Sequence, residues 1–210
     1  LDYRDVDIIN HQRGWDGYFK LDVYELRHKQ FNGDQSQIIR REVLERDHAV
    51  AVLPYDPVRD EVVLIEQFRP ATLSVHKNTP EMPAWLTEIV AGIVEPGETL
   101  QDVARRETIE ESGCSIIGDL EIIIPRYYAS PGCSSETVQI FYGQVDSEKA
   151  GGLHGLDEEG EDIRVFTKSS DECFAMLRDG IFCNAPTIMA IQWLTLNRDR
   201  LRHAARTSIK

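Results

Sequence analysis

One stretch, GIVEPGETLQDVARRETIEESGC at residues 92–114, constrains this chain more than any other. It opens with a turn carrying Pro96, Gly97 and Glu98, and continues from 99 to 112 with good helix formers and no Gly or Pro. Gly113 follows, a residue able to take the left-handed conformation at a helix end. Inside the run Glu107, Glu110 and Glu111 stand at i, i+3 and i+4, a spacing that puts three carboxylates on one helix face. Leu100, Val103 and Ala104 project onto nearly the same stripe. A surface helix keeps charge off its apolar stripe, so carboxylates that extend the stripe should face the body of the protein or a cleft. Like charges held there are costly unless something neutralises them. Arg105 and Arg106 offer one solution, as ion pairs on an ordinary surface helix. A hard divalent cation offers the other, and oxygen-only ligands suit Mg2+ or Mn2+. The turn, the full spacing and the position on the apolar stripe favour the cation.

The hydrophobic and charged fractions of the chain are those of an ordinary soluble protein. Its 210 residues allow one large domain or one with a small appendage, long enough to bury a core. A formal charge of −13 argues against a protein that coats nucleic acid or an anionic membrane. It leaves room for a small anionic substrate if metals and local arginines offset the field. Cys114, Cys133, Cys173 and Cys183 show no metal-ligand spacing and read as thiols of a reducing compartment. The opening LDYRDVDIINHQRG is too polar for a secretion signal and no long apolar span follows, so a cytoplasmic location is expected.

Along the chain, residues 18–28 and 37–44 read as two strands joined across FNGDQ, with Asn32-Gly33 as the turn signal. Such a hairpin is marginal alone, which suggests a second subunit as its support. A division follows, with a small N-terminal sheet at 1–46, suited to dimerisation, and the main domain at 47–210. In that domain residues 49–53 and 61–68 form a hairpin around PYDPVRD, and 70–85 a Pro-rich irregular loop. Residues 86–93 should be a strand leading into the turn, with further strands at 120–128, 137–145 and 163–167. Residues 148–162 read as a long acidic loop, 170–179 and 185–196 as helices, and the tail RLRHAARTSIK as loose. Ser169 or Ser170 is the expected cap of the first of these helices, with Gly180 at its end. Strands around a helix, with helices after them, give a layered α/β fold.

The 92–114 stretch resembles the Nudix box. Gly92, Glu98, Arg106, Glu107, Glu110, Glu111 and Gly113 match its fixed positions, while Thr108 and Cys114 depart mildly. The resemblance implies an α/β/α sandwich around a mixed sheet and metal-dependent hydrolysis of a diphosphate. Outside the box, FNGD, RREVLER, HAVAVLPYDPVRDEVVLIEQFR, the ASPG loop and HGLDEEGEDIRV resemble the bacterial ADP-ribose pyrophosphatases, as does Pro131 shortly after the box. That branch implies hydrolysis of ADP-ribose to AMP and ribose 5-phosphate. Two other readings stay open: an enzyme for another nucleoside diphosphate sugar such as GDP-mannose, and a non-catalytic ADP-ribose sensor. All the box glutamates are kept, which speaks against the sensor.

Residue by residue, the resemblance makes Glu107, Glu111 and the Ala91 carbonyl metal ligands, with Glu110 binding directly or through water. Glu159 matches the catalytic glutamate, also counted among the metal-site residues, and Glu161 a supporting acid. From composition alone the same LDEEGEDI run reads as a solvated acidic loop. Arg69, Arg41, Tyr18 and, with weaker support, Glu136 match substrate-binding positions. Read without the resemblance, the two arginines are surface charges and Tyr18 packs on its sheet. Arg40 and Arg41 are adjacent on a strand and face opposite ways, so one alone can serve a site. In the family the N-terminal sheet reaches over the partner subunit of a homodimer, which implies that Arg41 and Tyr18 serve the neighbouring site.

Overall fold

The computed structural model describes all residues except Lys77, Asn78, Pro80, Glu81, Ile209 and Lys210, with His76 and Ser208 described by their backbone alone. The chain divides into two compact units, Leu1–His48 with Tyr128–Thr137, and Ala49–Tyr127 with Val138–Lys210.

The first unit is a three-stranded antiparallel sheet, β1 (Val6–Asp16), β2 (Lys20–His28) and β3 (Ile39–Glu45), with β2 in the middle. The sequence suggests two strands, and β1 is an addition to that reading. Residues 7–16 of β1 are exposed on both faces, so no alternation marks β1 as a strand. Its pairing with β2 slips twice, between Ile8 and Asn10 and between Arg13 and Trp15. What fixes it is polar: Asp22 of β2, 3% exposed, accepts from Arg13 and lies 2.9 Å from His11 Nε2. The segment Tyr128–Thr137 is stitched to β3, Leu44 donating to the Cys133 carbonyl at 2.8 Å and Ser135 to the Leu44 carbonyl at 3.1 Å.

The second unit is built on β4 (Ala49–Asp56), whose eight residues alternate between two cores. Ala51, Leu53 and Tyr55 face one, Val50 and Val52 the other. A strand buried on both faces needs a layer on each side. After β4 come β5 (Glu61–Phe68), the short helix α1 (Thr72–His76), β6 (Trp85–Glu88), β7 (Val90–Ile93) and the helix α2 (Leu100–Ser112). Then follow β8 (Ile117–Tyr128), β9 (Thr137–Gln144), β10 (Gly152–His154), β11 (Ile163–Ser169), α3 (Ser170–Arg178) and α4 (Ala185–Ser208). The sheet order is β10-β11-β5-β4-β9-β8, with β6 added on β5 and β7 on β4. β4 and β9 run parallel and the other registered pairs antiparallel, so the sheet is mixed. Val103 and Ala104 of α2 pack with Val50 and Val52, while Cys173 of α3 and Ile191 and Leu194 of α4 pack with Leu53 and Tyr55. The α/β/α sandwich expected from the resemblance is therefore present. Fully burying a residue such as Val103 contributes about 1.5–3 kcal/mol.

Several sequence expectations are corrected. The strand read at 86–93 is two strands that change partner at Ile89. β4 and β5 pair only beside their turn, at Tyr55–Val62 and Asp56–Glu61, and the opened sheet is completed by β6 on β5 and β7 on β4. The acidic loop contains β10 and two 3-10 turns. The tail is helix as far as Ser208, because Leu201 and Ala205 are buried and Arg198 and Arg202 both grip Asp60; Ile209 and Lys210 lie outside the described residues. Within 70–85, Thr72–His76 is helical, and the part of that expectation at 77, 78, 80 and 81 lies outside the described residues.

Candidate active site

Helix α2 starts where Thr99 accepts the Asp102 N–H and stops where Gly113 turns to φ +69, its N–H donating to the Ile109 carbonyl at 2.8 Å. The stop at Gly113 is as the sequence suggests, while the run read from 99 starts one residue later, with Thr99 as its cap. The carboxylate face of the helix lies against β7. Ala91 donates its N–H to Glu111 Oε2 at 2.9 Å, and a Cβ at Gly92 would overlap the Glu107 carboxyl. Gly92 is thus small because a box glutamate occupies the space a side chain would need.

The carboxylates differ in what neutralises them. Arg106 bonds Glu98 at 2.9 Å, Glu107 at 2.7 Å and Glu110 at 2.9 Å. The ion-pair reading of the helix is therefore part of the site, carried by Arg106, while Arg105 bonds backbone carbonyls at Ile116 and Gly118. Glu111 is different. It is 2% exposed, and among the described residues no cationic side chain pairs with it; beyond Ala91 its partner is Gln67, at 3.5 Å. Burial lifts its pKa to about 8, against the Ala91 N–H, with repulsion from Glu107 and Glu161 adding. Burial also lifts Glu107 to about 7, opposed by Arg106 and reinforced by Glu110 and Glu161. Among the described residues, no three acidic, His or Cys side chains converge closely enough to enclose an ion in this arrangement. The donor set still fits a hard cation: every acceptor is oxygen, and Glu111 is a buried carboxylate without a counter-charge.

Arg69 stands just beyond β5, two residues after Gln67. Its Nε donates to Glu88 at 2.8 Å, and its charge eases ionisation of Glu111. Glu88, 4% exposed, also accepts from Asn184, whose Oδ1 takes the Thr187 N–H in the first turn of α4. Sequence reading missed Glu88 and Gln67. The period-two relation of Gln67 to Arg69 was the available signal for one; nothing local marks Glu88. Glu159 ends the 3-10 turn Asp157–Glu159 and is exposed. Glu161, two residues on, is the loop acid whose charge is felt at both Glu107 and Glu111.

The remaining candidates belong to the first unit. Tyr18 is 85% exposed, with Phe19 edge-on at 4.9 Å, and borders an open hollow of about 400 Å³ with Arg13, Lys20, Tyr24 and Arg46. Arg41 is exposed and donates to the Arg40 carbonyl at 2.8 Å, while Arg40 pairs with Glu42 on the other face of β3. Glu136 pairs with Arg46 at 3.4 Å.

The model of the NUDIX domain matches residues 45–170 of this chain. The chain belongs to the Nudix family. Its Nudix box is the turn and helix just described. Among Nudix relatives, the chain is 46% identical over 199 residues to the ADP-ribose pyrophosphatase of Escherichia coli (strain K12), covering 95% of this chain and 92% of that one. It is 37% identical to the ADP-ribose pyrophosphatase of Haemophilus influenzae over 98% of this chain and 93% of the relative. The GDP-mannose pyrophosphatase of Cronobacter sakazakii is 31% identical, over 91% and 95%.

Proposed function

We propose that this Nudix enzyme hydrolyses the pyrophosphate bond of ADP-ribose, with water, to AMP and ribose 5-phosphate. The observation that carries the reading is the buried, unpaired Glu111 beside Glu107, backed by 46% identity to an ADP-ribose pyrophosphatase along nearly the whole chain. A divalent cation, Mg2+ first and Mn2+ second, would be held by Glu107, Glu110, Glu111, the Ala91 carbonyl and Glu159. When bound it supplies charge neutralisation and Lewis acidity at the diphosphate.

The chain's own groups do the rest. Arg69, oriented through Nε by Glu88, turns its remaining N–H groups to an anionic oxygen of the substrate. Glu159 accepts the proton of the attacking water, with Glu161 as the acid nearer the box; a water oxygen bonds to phosphorus as the bridging P–O bond breaks. Loops that carry catalytic acids act well as lids. Tyr18 stacks on the adenine and Arg41 binds the substrate of the neighbouring subunit in a homodimer, with Glu136 as a further contact. The exposed Ile8, Trp15, Tyr18 and Phe31 of the first unit are the apolar surface that supports dimerisation. The four free cysteines support a reducing, cytoplasmic setting, and among the described residues no helix is long and apolar enough to cross a membrane.

The test is nucleoside monophosphate release with and without Mg2+, as AMP from ADP-ribose and ADP-glucose and as GMP from GDP-mannose. ADP-ribose is the expected first choice. Preference for GDP-mannose would favour the second reading, which rests on the 31% identical relative. No release from any of them would leave a binding module. Glu159→Gln should lose about 10²–10⁴-fold in kcat, roughly 3–5 kcal/mol of barrier. A full rate in that variant, with loss in Glu161→Gln, would move the base to Glu161.

A further inference from the structure

The acidic loop is fastened to the box helix at one point that the hydrolysis itself does not use. β10 ends at His154, paired with Ile163 of β11. Its ring lies directly over Gly113: a Cβ built on that glycine would be 2.5 Å from His154 Cε1 and 3.3 Å from both ring nitrogens. The ring is steadied by Nε2, which donates to the Gly151 carbonyl at 3.0 Å. The next residue, Gly155, donates its N–H to the Glu110 carbonyl at 3.3 Å, one of the last carbonyls of α2. Gly155 has φ +98, and a Cβ there would be 2.7 Å from the Cβ of Glu161. From this anchor the loop closes on itself. Leu156 donates its N–H to Glu161 Oε2 at 3.1 Å, and its carbonyl accepts from the N–H of Glu159 at 3.0 Å and of Glu161 at 3.2 Å.

We propose that His154 is a positioning residue: seated on Gly113 and followed by Gly155, it clamps the 155–161 loop to the C-terminal end of α2 and so aims the loop acids at the box carboxylates. Gly113 then has two duties. It takes the left-handed turn that ends the helix, and it leaves bare the surface on which the imidazole rests. A side chain there would push the ring, and with it the loop, off the helix. The inference rests on the reading above that the loop acids serve hydrolysis.

The experiment is a double-mutant cycle on the full chain, with Gly113→Ala, His154→Ala and the pair together. Steady-state AMP release from ADP-ribose is measured beside hydrogen exchange of the amides at 151–162. His154→Ala should lose about 10- to 100-fold in kcat, with KM changed much less, since misplacement of a reacting group acts on the chemical step. Gly113→Ala should lose a similar factor. The double variant should be no worse than either single one, because the new methyl then meets no ring. Loop amides should exchange faster in all three, while those in the middle of α2 keep their protection. Multiplying losses in the double variant, or unchanged loop exchange in His154→Ala, would overturn the clamp. If Gly113→Ala does not fold, His154→Gln carries the test: its amide nitrogen can reach the place of Nε2 and donate to Gly151, but it has no ring to seat on Gly113. It should behave as His154→Ala does, and wild-type kcat and loop exchange would refute the proposal. Full activity in both Glu159→Gln and Glu161→Gln would instead overturn the role of the loop, and loop exchange in the His154 variants would still read the clamp by itself.

Discussion

Replacing Glu111 by Gln should make the metal-free protein more stable, by a margin that grows as pH rises above the free-glutamate value and is complete near pH 8. Glu111 is 2% exposed and its pKa is about 8, against 4.5 for a free glutamate. The folded state therefore holds this proton more tightly than the unfolded state. Stability is greatest below the unfolded value and erodes as pH rises toward 8. Each pH unit separating the folded and unfolded values is worth about 1.4 kcal/mol, which sets a ceiling of about 5 kcal/mol. Local relaxation and water entry reduce this to about 3 kcal/mol. In a chain of this length that is roughly 6–12 °C in Tm. Glutamine keeps an oxygen for the Ala91 N–H and cannot ionise. The assay is thermal unfolding of both proteins in chelator at pH 5 and pH 8.5. At pH 5 the two should melt nearly together, and at pH 8.5 the variant should melt higher by about that margin. Added Mg2+ at pH 8.5 should then raise the wild type more than the variant. Parallel pH profiles for the two proteins would refute the reasoning, because they would mean that Glu111 carries no buried charge for a cation to relieve.

Gly92→Ala places a methyl on the Glu107 carboxyl, so it should weaken Mg2+ binding and cut AMP release by about 10-fold or more; a wild-type metal isotherm would contradict the packing. Asp60→Asn should cost about 3–5 kcal/mol at pH 7, read by urea denaturation, since it strips the charge that Arg198 and Arg202 share in a part-buried site. Burial of Asp60 would raise its pKa, but hydrogen bonds from Arg198, Tyr55 and Ser170 outweigh it and the net shift is downward. That stabilisation is present above the free value of 3.8 and is lost as pH falls through the lower folded value, so the two proteins should converge in strong acid.

The box helix can be read from residues alone because its signals are local: an unbroken run of helix formers from 99, a stop at Gly113 and carboxylates in register with Val103 and Ala104. Strands whose two faces differ, or are both apolar, are equally plain, as with β4 and β5. β1 is not, since exposure on both faces removes the alternation on which a strand assignment depends. The partner change at Ile89 is also invisible, because one apolar run serves equally for one strand or two. The helical tail does leave a signal, in Leu194, Leu201 and Ala205 at helical spacing with Arg198 and Arg202, masked by the charged residues between them. In the site, box glutamates can be named from spacing, and their burial follows from the apolar stripe. Glu88 beneath Arg69 and His154 over Gly113 cannot, because each is a meeting of distant segments that only the sheet order brings about.

The claim on which all of this depends is that the carboxylates of α2 exist to receive a divalent cation. Titration calorimetry of the metal-free protein with Mg2+ at pH 7, repeated in two buffers of different ionisation enthalpy, tests it most directly. With Glu111 near 8 and Glu107 near 7, binding should be saturable and should release about one proton, and Glu111→Gln should abolish most of that release. No saturable binding, or binding that moves no proton and survives Glu111→Gln unchanged, would contradict the account.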